Sequence, residues 1–112
     1  MNDPRFDAMF ELLAILPAAT RQEMVRMYSD ALVGQTELLD EGMALRDVPA
    51  CTSVSHKIAG SAAMMQDQEL SQAARSMERA LMAGRWEEAL AHWPHTRACA
   101  AATLASLRAR YR

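Results

Sequence analysis

Four interruptions divide a chain of 112 residues that otherwise consists largely of strong helix formers. Alanine, leucine, methionine, glutamate and arginine dominate, whereas valine and isoleucine, which favour strands, are scarce. No Asn-Gly or Asp-Gly dipeptide marks a hairpin turn. The interruptions are Pro17, the segment 47–49, the pair 66–67 and Gly84. This pattern predicts an all-α protein with five helical segments.

The same interruptions predict where each helix begins and ends. The predicted segments are 4–16, 21–45 after a Thr20–Glu23 capping box, 48–65 with Asp47 as its cap, 68–83 with Asp67 as its cap, and a last one from Trp86 onwards. Pro94 is expected to kink or divide the last segment. Connections this short favour antiparallel neighbours. We therefore expect residues 1–112 to form one domain, an up-and-down antiparallel four-helix bundle with a short extra N-terminal helix.

Apolar residues at a spacing of three and four predict the buried face of each helix. In the last helix this face carries Leu90, Trp93, Arg97, Ala101, Leu104 and Leu107. In the third helix it carries Val48, Cys51, Val54, Ser55, Ile58, Ala62 and Met65. His56 falls about 150° from the centre of that third stripe, so we expect its ring to face solvent.

Charge and hydropathy argue against several functions. The net charge is −2 and no basic stripe is visible, so nucleic acid is not an expected partner. Apolar runs stay well below the ~18 residues of a membrane span, so no membrane association is expected. The N-terminal residues do not resemble a signal peptide, and neither Cys51 nor Cys99 lies in a CxxC pair. We expect a cytoplasmic protein with reduced thiols.

The residues near His56 on its predicted face are all small. They are Thr52, Ser53, Ala59, Gly60 and Ala63. A glycine inside a helix costs about 1 kcal/mol relative to alanine, so Gly60 needs a reason. Gly60 either leaves the imidazole open to close approach by another protein or lets two helices of the bundle pack closely.

The run SHKIAGSA, residues 55–62, resembles the H-x-L-K-G-S-A motif of histidine-containing phosphotransfer (HPt) domains. The resemblance continues through Leu70, the pair 77–78 and Gly84. It departs from the family at Ala59, where lysine is usual, and at Gln66, where glycine is usual. The only lysine of the chain, Lys57, directly follows the histidine.

The resemblance implies a phosphoryl carrier in a multistep phosphorelay of a two-component system. His56 would accept a phosphoryl group from an aspartate of one receiver domain and pass it to another, the receivers belonging to hybrid sensor kinases and response regulators. Imidazole suits this step because its neutral form is a nucleophile near neutral pH. The receiver would hold the Mg²⁺, and the chain, a monomer, would need no cofactor. No ATP-binding motif is visible, so no kinase activity of its own is expected.

Helix geometry suggests which side chains support His56. A hairpin that turns near residues 66–67 places position 56 level with 77–78, so Glu78 is a candidate acceptor for a ring N–H. The alternative is a surface glutamate paired with a nearby arginine. The candidate cations for the phosphoryl group are Lys57, Arg75 and Arg79. The candidate close-approach and docking residues are Thr52, Ala59, Gly60, Ala63, Met64 and Met82.

Two other functions compete with the carrier. The absence of lysine at Ala59 favours a helical module that docks on receivers or kinases without transferring phosphate. An unrelated structural or dimerising bundle would give His56 no function at all. His92 and His95 have a spacing that zinc ligands use, but no further ligand lies at an obvious spacing, so no metal site is expected.

Overall fold

The computed structural model describes residues 3–111, which form a 3₁₀ turn at Pro4–Phe6 followed by five α-helices, with no strand among them. The helices are α1 (Asp7–Ala14), α2 (Ala18–Ala44), α3 (Val48–Met64), α4 (Gln68–Met82) and α5 (Trp86–Tyr111). The predicted all-α class is confirmed. None of these helices is both long and apolar enough to cross a bilayer.

The four long helices pack in a closed order around an apolar core. α2 contacts α3, α3 contacts α4, α4 contacts α5, and α5 contacts α2 again. The short α1 adds Met9 and Leu13, both fully buried, to the same core. The ring of Phe10 lies 6.0 Å from that of Tyr111, so α1 packs beside the C-terminal end of α5.

α2 begins three residues earlier than the sequence predicted. Pro17 directly precedes Ala18, the first helical residue, and no side chain caps this end. The predicted capping box of Thr20 and Glu23 is wrong, because both residues lie inside the helix and Glu23 pairs with Arg26. Proline already restricts the backbone at this point, so the helix starts without a side-chain cap.

α2, α3 and α4 end in the same way. Each is followed by one residue with a left-handed backbone, φ being 51° at Arg46, 59° at Gln66 and 72° at Gly84. The N–H of the next residue then bonds five positions back, as Asp67 does to the Ala62 carbonyl at 2.8 Å. Gln66 thus forms the α3–α4 turn, although the family that the sequence resembles usually has glycine at this position.

Asp67 holds the α3–α4 turn against two other helices. It is the N-cap residue of α4, as predicted, but its side chain makes no capping bond. The side chain is buried, and its Oδ2 accepts hydrogen bonds from the hydroxyls of Tyr28 and Thr103, both at 2.7 Å. Burial is the largest influence on this carboxyl group and raises its pKa. One side chain therefore connects the turn to α2 and α5.

α5 runs through Pro94 without a break. The prediction of its buried face is right in part, because Leu107 is buried and both Trp93 and Leu104 pack against the core. Leu90, Arg97 and Ala101, which the spacing placed in the core, are exposed. The buried residues are Ala89, Thr96, Cys99, Ala100, Thr103 and Leu107. Alanines lie on every side of this helix and two threonines are buried, so the apolar pattern alone does not mark its inner face.

Candidate functional site

His56 lies on the solvent face of α3, as the helical arithmetic predicted. Its side chain is 75% exposed, and its Nδ1 lies 2.8 Å from Oε2 of Glu78 on α4. A carboxylate only accepts hydrogen bonds, so the shared proton belongs to Nδ1. Nε2, on the far side of the ring, then keeps its lone pair and is available to a reagent from solvent.

Glu78 bonds to the histidine and not to the arginines of its own helix. Its side chain is 19% exposed, which limits competition from water for the bond to His56. Arg75 donates instead to the Ser71 hydroxyl, and Arg79 donates to a neighbouring serine, both at 3.4 Å. Among the described residues, His56 is the one ionisable side chain that bonds to Glu78. The alternative of a surface glutamate paired with arginine does not hold.

Gly60 leaves open space one turn from His56. A Cβ atom placed on Gly60 would meet no packing atom within 4 Å. At Gly42, by contrast, a Cβ atom would come within 2.8 Å of Cys51 Sγ. Close packing of helices therefore explains Gly42 but not Gly60. The open space at Gly60 is consistent with the other interpretation, an open approach to the imidazole.

Ala59 lies inside the contact between α3 and α4. Its side chain is 3% exposed, and its carbonyl accepts a hydrogen bond from the Ser71 hydroxyl at 3.1 Å. The expectation that Ala59 shares the open face with His56 is wrong, because this position turns about 60° further towards α4. The same hydroxyl accepts a bond from Arg75, so a guanidinium group is held close to this small residue.

The other predicted docking residues differ in exposure. Met64 and Met82 are 80% and 72% exposed, whereas Thr52 and Ala63 are partly buried. The Thr52 hydroxyl is used by its own helix, where it donates to a carbonyl at 2.8 Å. Met64 lies about 12 Å along α3 from His56, and Met82 lies one turn beyond the glutamate on α4. Each of the two helices that hold the His56–Glu78 pair therefore carries one exposed methionine.

Lys57, Arg75 and Arg79 are all exposed, as predicted for candidate phosphate-binding cations. Lys57 makes no ion pair with any residue in the described part of the chain. It projects about 100° round α3 from His56, on the opposite flank from Ala59. Both helices that hold the His56–Glu78 pair thus carry an exposed cation, Lys57 on α3 and Arg75 on α4.

Sequence reasoning missed the bond between Ser71 and Arg75, and the spacing in α2 placed Leu38 on the buried face, which is wrong because this side chain is exposed. Ser71 positions Arg75 and lies four residues before it, a spacing at which helical side chains meet. Leu38 and Leu45 are 55% and 71% exposed and line a groove of about 340 Å³ between α2 and α3. Leu38 precedes the fully buried Leu39, and adjacent helical residues point 100° apart, which is a signal that the sequence did contain.

Comparison with known protein families shows where this chain belongs. The model of the Hpt domain matches residues 23–110, which include α3, α4 and nearly all of α5. The chain therefore belongs to the Hpt domain family, as the SHKIAGSA run indicated. Hpt domains are phosphocarrier modules of phosphorelay signalling that interact with receiver domains. Neither the curated proteins nor the solved structures gave a match.

Proposed function

We propose that this chain is a phosphoryl carrier in which Nε2 of His56 accepts a phosphoryl group from one receiver domain and passes it to another. The bond of 2.8 Å between Nδ1 and Glu78 is the observation that carries this proposal. It leaves an unprotonated, exposed nitrogen on a side chain with small neighbours. The receivers would belong to hybrid sensor kinases and response regulators, and the carrier would have no kinase activity of its own.

In the transfer, the Nε2 lone pair attacks the phosphorus atom of a receiver's aspartyl phosphate. The N–P bond forms as the P–O bond to the aspartate breaks, and the receiver's carboxylate leaves with the electron pair. The proton on Nδ1 stays in place, so the phosphorylated ring carries a positive charge that the Glu78 carboxylate stabilises. Mg²⁺ bound in the receiver would neutralise the phosphoryl oxygens, and the second transfer is the reverse of the first.

The carrier needs a rigid scaffold that holds His56 in place. We infer that the whole chain forms one domain, an up-and-down antiparallel bundle. The His56–Glu78 bond pairs the middle of α3 with the C-terminal half of α4. Trp93 Nε1, early in α5, donates to Asp40, late in α2, at 2.9 Å. Tyr28, in the N-terminal half of α2, meets Thr103, in the C-terminal half of α5, through a shared carboxylate. These pairings support antiparallel neighbours.

A docking module that binds receivers without transfer is the second candidate, because Ala59 replaces the usual lysine. Arg75 weakens this alternative. Its guanidinium group is bonded to Ser71, whose hydroxyl in turn bonds to the Ala59 carbonyl. The Arg75 guanidinium group therefore lies near the backbone position from which the family's lysine would project. It is available to bind phosphoryl oxygens.

Glu78→Gln tests the proposed mechanism, because it keeps the side-chain size and removes the charge. We expect transfer from a phosphorylated receiver with Mg²⁺ to slow about two- to fivefold, since an exposed charged pair contributes about 0.5–1 kcal/mol. Affinity for the receiver should stay unchanged. Glu87→Gln, an exposed glutamate at the start of α5, is the control and should transfer at the wild-type rate.

Rapid-quench kinetics and a binding assay on the same receiver separate the two candidates. Slower transfer with unchanged binding in Glu78→Gln supports the carrier with this glutamate as a positioning residue. Equal transfer rates in Glu78→Gln and the wild type would remove Glu78 from the mechanism. Receiver binding with no transfer to any variant would favour the docking module.

A further inference from the structure

A second cluster of chemically reactive side chains lies about 13 Å along α4 from Glu78. It consists of Glu69 in the first turn of α4 and of His95 and Cys99 on α5. One carboxylate oxygen, one imidazole nitrogen and the sulfur lie within 4.8 Å of one another. None of these residues takes part in the phosphotransfer site, so the cluster calls for an explanation of its own.

We propose that Glu69, His95 and Cys99 bind a divalent cation of the zinc type. A tetrahedral ion with Zn–S and Zn–N bonds of about 2.3 and 2.0–2.1 Å separates its sulfur and nitrogen ligands by about 3.6 Å. The observed distance between Cys99 Sγ and His95 Nε2 is 3.6 Å. A carboxylate from Glu69 completes a set of three protein ligands, and water takes the fourth position.

When the cation binds, the cluster gains metal–ligand bonds and loses the thiol proton of Cys99 and the ion pair of Glu69. The cation forms a bond to Cys99 Sγ as the S–H bond breaks, and the proton passes to solvent. His95 binds through Nε2 and keeps its proton on Nδ1. Glu69 lies 3.6 Å from the guanidinium group of Arg5, and the cation would replace that arginine as its partner. No oxidant or further reactant is required.

The cation can reach the cluster and would connect two helices there. Glu69 and Arg5 line an open cleft of about 510 Å³ between the N-terminal segment and α4. His95 is exposed, whereas Cys99 is buried, so the ion would sit at the surface with its sulfur ligand beneath it. A bound ion would join the start of α4 to the middle of α5, beside the α3–α4 turn.

Cobalt(II) titration of the full chain under reducing conditions tests this site, because the metal alone is the probe. We expect one cobalt ion per chain, with a sulfur-to-cobalt charge-transfer band and the intense visible bands of tetrahedral cobalt. Zinc should displace the cobalt and raise the melting temperature. Cys99→Ser should lose the charge-transfer band, and Glu69→Gln, at a half-exposed position that tolerates substitution, should weaken binding at least about tenfold.

The chain provides a matched control for two of the ligands. Cys51→Ser removes the other buried cysteine, which packs against α2 near Gly42. His92→Gln removes a histidine one turn from His95 whose partner is Glu88. Both variants should bind cobalt as the wild type does. A wild type without the sulfur band, or a band that survives in Cys99→Ser, would overturn the proposal and reduce the cluster to a thiol–imidazole hydrogen bond. These readouts do not depend on phosphotransfer.

Discussion

The two ring nitrogens of His56 lie in different surroundings. Nδ1 is 2.8 Å from the Glu78 carboxylate, whereas the ring as a whole is three-quarters exposed. An exposed ring adds little to the free energy of unfolding, so substitution at His56 changes the chemistry of the site more than the stability of the fold. We expect the small residues around His56 to matter chiefly because they leave space for another protein to approach the ring.

Gly60→Ala should stabilise the protein and slow its function. A Cβ atom at this position meets no packing atom, so alanine removes the helix penalty of glycine and raises the free energy of unfolding by about 1 kcal/mol. The same methyl group lies one helical turn from His56, where we expect it to hinder the approach of a receiver, so transfer should slow. Urea unfolding and transfer kinetics measure the two effects.

Gly34→Ala is the matched control for that prediction. Gly34 lies inside α2 and also has open space around a Cβ atom. Alanine at Gly34 should bring a similar gain in stability and leave transfer unchanged. A Gly60→Ala variant that transfers as fast as the wild type would show that the glycine does not serve receiver approach.

The ends of the helices were largely predictable where the cause is local. Asp47 was predicted to cap α3, and it accepts a hydrogen bond from the Ala50 N–H at 3.2 Å. Gly84 was predicted to end α4, and its φ is 72°. The inner face of α5 was not predictable in this way, because it depends on which residues α2 and α4 bury, and alanine fits almost anywhere.

Gln66→Gly should stabilise the α3–α4 turn. Gln66 has a φ of 59°, which costs a residue with a Cβ atom about 1 kcal/mol or more and costs glycine almost nothing. Glycine also loses more backbone entropy on folding than glutamine does, which offsets part of this gain. We therefore expect the free energy of unfolding to rise by about 0.5–1 kcal/mol. Thermal unfolding should shift upwards by about 3 °C.

The same substitution at Gln72 is the control for the turn. Gln72 is exposed in the middle of α4 and has a helical backbone, so glycine there should lower the free energy of unfolding by about 1 kcal/mol. Opposite signs at Gln66 and Gln72 would confirm the role of the left-handed backbone. A loss of stability at both positions would contradict it.

At the scale of the whole molecule, the Asp67 side chain joins the α3–α4 turn to α2 and α5 and makes stability depend on pH. Burial raises its pKa above the value of about 3.9 in an unfolded chain. The folded state then holds this proton more tightly than the unfolded state. Its contribution to stability is complete below about pH 4 and is lost as the pH rises through the raised pKa.

Asp67→Asn removes this titration. As the pH rises from about 4 towards neutrality, the free energy of unfolding of the wild type should fall relative to that of the variant. Urea unfolding at a series of pH values measures the difference. The hydrogen bond from Tyr28 lowers the pKa of Asp67, so Tyr28→Phe should extend the fall to higher pH. Parallel pH profiles for the wild type and Asp67→Asn would contradict the account.

The pairing of His56 with Glu78 was predictable from the sequence, but the burial and contacts of the residues around this pair were not. Counting residues on either side of the α3–α4 turn placed His56 level with Glu78, and the structure has the two side chains bonded. The burial of Ala59 depends on how α4 is rotated against α3. The convergence of Glu69 with Cys99 depends on how α4 and α5 are aligned. Such relations between helices are set by packing and are not written in the spacing of any one helix.

The location of the phosphoryl group tests the carrier role most directly. The wild type and His56→Gln are each incubated with phosphorylated receiver domains and Mg²⁺, and the protein is examined for acid-labile, alkali-stable phosphate. We predict label on the wild type and none on His56→Gln, which keeps its fold because the side chain is exposed. His92 and His95 are present in both proteins and control for other histidines. Label on His56→Gln, or none on a wild type that binds the receivers, would contradict the account.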